Sequence, residues 1–75
     1  MMRLLGIKVR RLREQANLTQ SELATKLGLS DQSKGVVSEI ESGRKIPRTE
    51  VVLKLAIMFE VSTDYLLRDD IAIKD

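Results

Sequence analysis

Apolar residues recur at intervals of three and four positions through most of this 75-residue chain. That spacing places apolar side chains on one face of an α-helix, whereas the strict alternation typical of strands does not occur. Five helices are therefore predicted, and the fold class is all-α. The positions assigned to the buried faces, in helix order, are Leu5, Val9, Leu12 and Ala16; Leu23, Ala24 and Leu27; Val37 and Ile40; Val52, Leu55, Ala56 and Phe59; and Tyr65, Leu66 and Leu67. In the first helix, Lys8, Arg10, Arg11 and Glu14 are assigned to the other faces.

Local signals mark several helix ends. Thr19 followed by Glu22 predicts a capping box, in which the Thr19 hydroxyl accepts from a first-turn amide and the Glu22 carboxylate accepts from the amide of Thr19. The second helix is therefore expected to begin here. Asn17, Gly28 and Gly43 are expected to end the first three helices, because these residue types tolerate a left-handed backbone.

The third helix has two possible starts. Ser33 is the expected N-cap, so that the helix runs through Lys34 to about Ser42. On this assignment Gly35 lies inside the first turn, where a glycine lowers helix stability by roughly 1 kcal/mol relative to alanine. Ser30 is the alternative cap, and it would extend the helix toward its N-terminus.

The last third of the chain is predicted to hold two helices and a tail. Pro47 is expected early in the fourth helix, where its missing N–H costs little, and Ser62 is expected to cap the fifth. The domain is assigned to residues 1–68. The tail, residues 69–75, is polar apart from Ile71 and Ile73 and is expected to be partly ordered at best.

Composition restricts the class of protein. With 43% hydrophobic and 32% charged residues, the chain is expected to form one small globular domain. Cysteine and histidine are both absent, which argues against a disulfide framework, the usual structural zinc site and most nucleophilic catalysis. No glycine-rich phosphate loop, secretory segment or membrane span is recognised. We therefore expect a cytoplasmic protein without enzymatic activity, cofactor, metal or membrane partner.

The charges are distributed unevenly along the chain. Residues 1–48 contain ten Lys/Arg and five Asp/Glu, giving +5, whereas residues 49–75 contain three and six, giving −3. A basic front suits a domain that offers one side to a nucleic acid. An ordinary solvated surface is the alternative interpretation.

Several segments in a fixed order resemble the Cro-type, lambda-repressor-like helix-turn-helix domains. The matching segments are Gly6 to Glu14, Leu18-Thr19-Gln20-Ser21-Glu22-Leu23-Ala24, Val37-Ser38-Glu39-Ile40-Glu41-Ser42-Gly43, Pro47, and Leu53-Lys54-Leu55-Ala56 to Val61-Ser62. The resemblance implies a compact five-helix domain in which helices 2 and 3 form the helix-turn-helix. It also implies a prokaryotic or phage regulator that binds double-stranded DNA with helix 3 in the major groove. The stretch from Gly28 to Glu41 is longer than the family's usual pattern.

The resemblance also implies roles for individual residues. Gln20 resembles the family residue that bonds a DNA phosphate, although a plain exposed first-turn residue is the alternative. Arg13 and Glu41 resemble a partly buried ion pair that ties helix 1 to the end of helix 3. The residues expected to meet DNA bases or the adjoining backbone are Ser33, Lys34, Gly35, Val36, Ser38 and Glu39, with Arg44 and Lys45 as phosphate clamps. Glu39 is equally consistent with a surface ion pair.

The fourth helix has more apolar residues than one small core consumes. Leu53 and Ile57, one turn apart, together with Leu67, Ile71 and Ile73, are candidates for an isologous dimer patch. The alternative is a monomer whose tail folds back over them. The sequence therefore predicts a homodimeric transcriptional regulator that binds double-stranded DNA sequence-specifically. Of the two kinds of regulator, a repressor is expected rather than an activator. The alternative is a protein-interaction module, such as an antitoxin that binds its partner through the C-terminal apolar surface.

Overall fold

The computed structural model describes residues 3–29 and 35–74, and all regular structure within these ranges is helical. The helices are α1 (Leu5–Gln15), α2 (Gln20–Lys26), α3 (Val36–Glu41), α4 (Thr49–Phe59) and α5 (Thr63–Leu67). The prediction of five helices is confirmed. Within the described residues, no helix has both the length and the apolar character that crossing a bilayer demands.

Four of the five helices end in the same way. A residue with positive φ follows each of α1 to α4, and these residues are Asn17 (58°), Gly28 (78°), Gly43 (82°) and Glu60 (55°). In each case the next amide donates back to a carbonyl five residues earlier, at 2.9 to 3.1 Å. This arrangement satisfies carbonyls that the helix itself leaves without donors. The asparagine and the two glycines were predicted, whereas Glu60 was not, because glutamate has no special tolerance for this backbone conformation.

The N-caps of α2 and α5 follow the sequence prediction. Glu22 N donates to Thr19 Oγ1 at 3.0 Å, and Thr19 N donates to Glu22 Oε1 at 2.8 Å. The Thr19 N–H lowers the pKa of the Glu22 carboxyl below its ordinary value. At α5, Tyr65 N donates to Ser62 Oγ at 2.9 Å.

The starts of α3 and α4 differ from the prediction. The N-cap of α3 is Gly35, without a side-chain cap, so Gly35 precedes the helix instead of lying in its first turn. Ser33 and Lys34, and the alternative cap Ser30, lie outside the described residues. Pro47 precedes Arg48, the extended N-cap of α4, and its ring is buried. Pro47 therefore lies outside α4, two residues before its first residue, and not early in the helix as predicted.

The core joins all five helices. Its buried members are Leu5, Val9, Leu23, Ala24, Leu27, Val37, Ile40, Val52, Leu55, Ala56, Tyr65 and Leu66. One predicted core position is wrong, since Ala16 is exposed at the C-cap of α1. Three others, Leu12, Phe59 and Leu67, are only partly buried and pack against the core.

Gly6 sets the distance between α1 and α3. A Cβ atom on Gly6 would lie 2.5 Å from the carbonyl oxygen of Ile40 and 2.6 Å from that of Glu41. These neighbours are backbone atoms at the end of α3, so they cannot move aside as a side chain would. The close crossing of the two helices therefore requires a residue without a side chain at position 6.

Lys8 is the largest departure from the sequence prediction. It was assigned to a solvent face of α1, but it is fully buried. Its Nζ donates to the carbonyl oxygens of Tyr65 and, at 2.9 Å, Arg68, and it lies 4.6 Å from the centre of the Tyr65 ring. The ammonium thereby supplies donors to the last carbonyls of α5, where a positive charge is also favoured by the helix dipole.

The described part of the tail lies against the domain. The Asp69 carboxylate accepts from the amides of Arg3 (2.9 Å) and Leu4 (3.0 Å), at the start of α1. These two donors lower the pKa of the Asp69 carboxyl. Lys74 N donates to Tyr65 Oη at 3.0 Å, and Ile71 packs on the core. Residues 69–74 therefore make polar contacts with distant segments of the domain, while the expectation that the tail is partly ordered at best stays a prediction.

The Gly6 contact predicts that Gly6→Ala lowers the free energy of unfolding by about 2 kcal/mol. The gain in helix propensity, roughly 1 kcal/mol, is smaller than the cost of moving α3 away from α1. The measurement is urea unfolding followed by circular dichroism. Gly35→Ala is the matched control, because nothing lies within 4 Å of the added Cβ. It should change stability by less than about 0.5 kcal/mol, and equal effects of the two changes would contradict the crossing geometry.

Candidate nucleic-acid interface

α3 has one buried side and one exposed side. It packs against both α1 and α2, with Val37 and Ile40 almost fully buried. Ser38 and Glu39 lie on the opposite, exposed side, and Gly35 at the N-cap is also exposed. α3, about one and a half turns long, is thus packed on α1 and α2 along one side and exposed to solvent along the other. Such a side can contact another molecule without any rearrangement of the core.

A basic turn follows α3 and is fixed to it by the backbone. The carbonyl oxygen of Glu39 accepts from the amides of Arg44 (2.9 Å) and Lys45 (3.2 Å), and also from the Ser42 hydroxyl (3.1 Å). These two bonds use only the main-chain amides of Arg44 and Lys45, and both basic residues are exposed. The structure therefore brings the two predicted phosphate clamps to the end of the exposed side of α3.

A buried polar network holds the C-terminal end of α3. Arg13 Nε donates to Glu41 Oε2 at 2.7 Å, and Arg13 Nη2 donates to Glu41 Oε1 at 3.2 Å. The two side chains are only 13% and 5% exposed. Arg13 Nη1 also donates to the carbonyl of Leu18 at 2.7 Å, in the connection before α2. The hydrogen bonds that Arg13 donates to the Glu41 carboxylate raise the pKa of the Arg13 guanidinium, so Arg13 keeps its charge at all ordinary pH values.

Gln20 belongs to the same network. Its Nε2 donates to Glu41 Oε1 at 3.1 Å, and the residue is partly buried. The sequence indicated a residue facing outward from the start of α2, and gave no sign of this contact. Gln20 and Glu41 are 21 positions apart, and only the packing of α2 against α3 brings them together.

Two of the predicted DNA-contacting residues, Ser33 and Lys34, lie outside the described residues. Val36 is described and is only partly exposed, because it packs on the core. It also lines a cleft next to Leu29 and Lys45. The described candidates with the greatest exposure are therefore Ser38 and Glu39 on α3 and the two basic residues that follow it.

The predicted dimer residues fall into two groups. Leu53 and Ile57 on α4 are 52% and 69% exposed, whereas Leu67, Ile71 and Ile73 are partly buried. Leu67 and Ile71 pack on the core. Ile46, which the sequence analysis did not single out, is 64% exposed and lines one groove together with Leu53 and Leu67. In the sequence, Ile46 is an isolated apolar residue within a basic turn.

Comparison with known proteins identifies the class. A profile of the helix-turn-helix family matches residues 9–66. The match covers most of the chain, which therefore belongs to this family as a lambda-repressor-like helix-turn-helix protein.

Two relatives and one solved structure are similar over most of the chain. The HTH-type transcriptional regulator ImmR of Bacillus subtilis (strain 168) is 38% identical over 66 residues, or 88% of this chain. The chain spans about half of ImmR, 50% of its length. The ImmF control region 10 kDa protein of Bacillus phage phi105 is 30% identical over 69 residues, 92% of this chain and 73% of the phage protein. The solution structure of the DNA-binding domain of the P22 C2 repressor matches with a TM-score of 0.76 and 27% identity, over 100% of this chain and 95% of that one.

The buried pair predicts a large cost for losing one partner. Arg13→Met should lower the free energy of unfolding by about 3 kcal/mol, because the Glu41 carboxylate stays buried without its counter-charge. Arg10→Met is the matched control. It removes a guanidinium from the same helix, but the Arg10–Glu14 pair is 65% and 55% exposed, so we expect a loss below about 0.5 kcal/mol. Urea unfolding of both variants measures the difference, and a similar loss in both would contradict the assigned burial.

Proposed function

We propose that this chain binds double-stranded DNA sequence-specifically and regulates transcription, as a repressor that acts as a homodimer. One observation carries the proposal: the exposed side of α3, with Ser38 and Glu39 on it, lies directly beside a backbone-fixed basic turn. The similarity of the whole chain to a repressor's DNA-binding domain, and of most of it to a transcriptional regulator, supports the same function.

Phosphate contacts supply affinity and orientation in this proposal. Arg44 and Lys45 donate to phosphates on the strand nearest the end of α3, and Gln20 donates from the start of α2. Such contacts fix the register of a protein on a duplex but do not read its sequence. They also make the affinity depend on salt, since each neutralised phosphate releases counterions.

Base contacts supply specificity. The Ser38 hydroxyl can donate or accept at a base edge, and the Glu39 carboxylate can accept from the amino group of cytosine. Val36 offers methyl groups to a thymine methyl, and Gly35 permits close approach of the backbone. Ser33 and Lys34 remain proposed contacts at the N-terminal side of the same helix.

The homodimer rests on the apolar side of α4. One helix-turn-helix covers little DNA, and two copies related by a two-fold axis read two half-sites about one helical turn apart. Leu53 and Ile57, together with Ile46, which lines a groove with Leu53, expose apolar side chains that a second copy would cover. Leu67, which lines one groove with Ile46 and Leu53, and the partly buried Ile71 and Ile73 stay proposed members of the interface.

Selection from a random duplex library at two salt concentrations tests the DNA-reading role. We expect enrichment of one inverted repeat. Arg44→Gln and Lys45→Gln should each weaken binding to the selected duplex and make the salt dependence shallower by about 0.9 in the slope of log affinity against log salt. Arg68→Gln is the control, since Arg68 is an exposed cation at the end of α5 that pairs with Asp70. Weak binding without an enriched sequence would overturn the proposal and favour a protein partner.

Sedimentation equilibrium, with and without the selected duplex, tests the dimer. Ile57→Lys should shift the protein toward monomer and abolish the cooperative occupation of two half-sites, because the charge would be buried in the interface. Ile7→Lys is the matched control, since Ile7 is 47% exposed but lies on α1. A wild-type protein that stays monomeric on DNA, unaffected by Ile57→Lys, would assign the patch to another protein.

A further inference from the structure

The Glu41 carboxylate has three donors but needs only one counter-charge. Its Oε2 is occupied by Arg13 Nε at 2.7 Å, and its Oε1 is shared between Arg13 Nη2 at 3.2 Å and Gln20 Nε2 at 3.1 Å. The two bonds from Arg13 already provide bidentate pairing. The contact with Gln20 therefore needs an explanation other than charge neutralisation.

A carboxylate fixes which end of an amide faces it. An ionised carboxylate only accepts hydrogen bonds, whereas a glutamine amide has an NH2 group at one end and an acceptor oxygen at the other. The amide of Gln20 must therefore turn its NH2 group toward Glu41. One N–H is used in that bond, and the second N–H of the planar group points away from it at about 120°.

From this contact we infer that Glu41 is a positioning residue for Gln20. It holds the amide so that the second N–H, and not the carbonyl oxygen, is presented to a DNA phosphate. The inference rests on the proposed function and assigns to the end of α3 a task in DNA binding that requires no contact with DNA. Arg13 participates by holding the carboxylate in place from α1.

The gain in affinity comes from fixing the Gln20 side chain in its binding orientation before the DNA arrives. A free glutamine side chain samples many rotamers and both amide orientations. In the orientation that turns the oxygen of the glutamine amide toward a phosphate, the two groups repel each other. Fixing such a side chain before binding is worth about three- to tenfold in affinity, from the usual cost of immobilising one long side chain. If Gln20 served only to fill a lone pair of Glu41, its amide would be indifferent to DNA.

The wild-type protein gives the first test through the side-chain NH2 signals of Gln20 in proton–nitrogen NMR spectra. In the free protein we expect the proton that faces Glu41 to be shifted downfield of the position usual for a solvated glutamine and to exchange slowly with solvent. On titration with the selected duplex, the other proton should shift downfield while the first stays. Two protons at the positions usual for a solvated glutamine and in rapid exchange with solvent, or a shift on titration confined to the proton facing Glu41, would overturn the inference.

A double-mutant cycle gives the second test. Glu41→Gln should weaken binding of the selected duplex three- to tenfold, and should have no further effect in a Gln20→Ala background. Gln15→Ala is the matched control, because Gln15 is an exposed glutamine at the end of α1 and its effect should simply add to that of Glu41→Gln. Circular dichroism confirms that each variant is folded at the temperature used.

The outcomes separate this inference from the proposed function. Duplex binding by the wild type with additive effects of Glu41→Gln and Gln20→Ala would overturn the inference alone. Failure of the wild type to select any duplex would overturn the proposed function and the inference with it. If Glu41→Gln does not fold, the NMR titration of the wild type decides the matter.

Discussion

The attachment of α3 to α1 is the constraint on which the rest of the structure depends. α3 has only six residues, too few to be stable as an isolated helix in water. Its C-terminal end is held twice, by the close approach of the Ile40 and Glu41 carbonyls to Gly6 and by the ion pair between Arg13 and Glu41. The approach to Gly6 is a van der Waals contact and the Arg13–Glu41 pair is electrostatic, and both act at the C-terminal end of α3. The exposed side of α3 is therefore fixed in direction although the helix is short.

The shortness of the helices explains much of the remaining architecture. α2, α3 and α5 have seven, six and five residues, so a large share of their backbone groups lies in terminal turns. The structure satisfies these groups locally, with side-chain caps at the starts of α2 and α5 and left-handed residues after α1 to α4. Other terminal backbone groups are hydrogen-bonded by side chains from distant parts of the chain. Lys8 serves the end of α5, and Asp69 serves the start of α1, across most of the chain.

The polar network around Glu41 links stability with the proposed function. Arg13 and Glu41 hold helices together, while Gln20 joins them from the start of the helix that precedes the exposed face. The Glu41 carboxylate, at the end of α3, thus links this helix to both α1 and α2. By contrast, the residues proposed to meet DNA bases, such as Ser38 and Glu39, have side chains free of the core. Their identities can vary without altering the scaffold, whereas those of the network cannot.

The sequence by itself determined the helical class, most of the core positions and most helix ends, because these depend on spacing and on local hydrogen bonds. The Thr19 and Glu22 capping box and the turn at Gly28 are formed by residues within a few positions of each other. The family and the broad class of site were also within its reach, since both follow from motifs in a fixed order. Residues such as Arg44 and Lys45 were identified on that basis, although their contacts with DNA stay a prediction.

Only the tertiary structure decided the features that join distant parts of the chain. Lys8 carries a charge, so its type indicates a solvent face, yet the end of α5 provides carbonyls that make burial favourable. Gly6 and the shared carboxylate of Glu41 likewise depend on which helices cross and at what distance. Periodicity reports which side of a helix is apolar, but not which backbone atoms will face it. That choice is made by packing, and packing is a property of the whole chain.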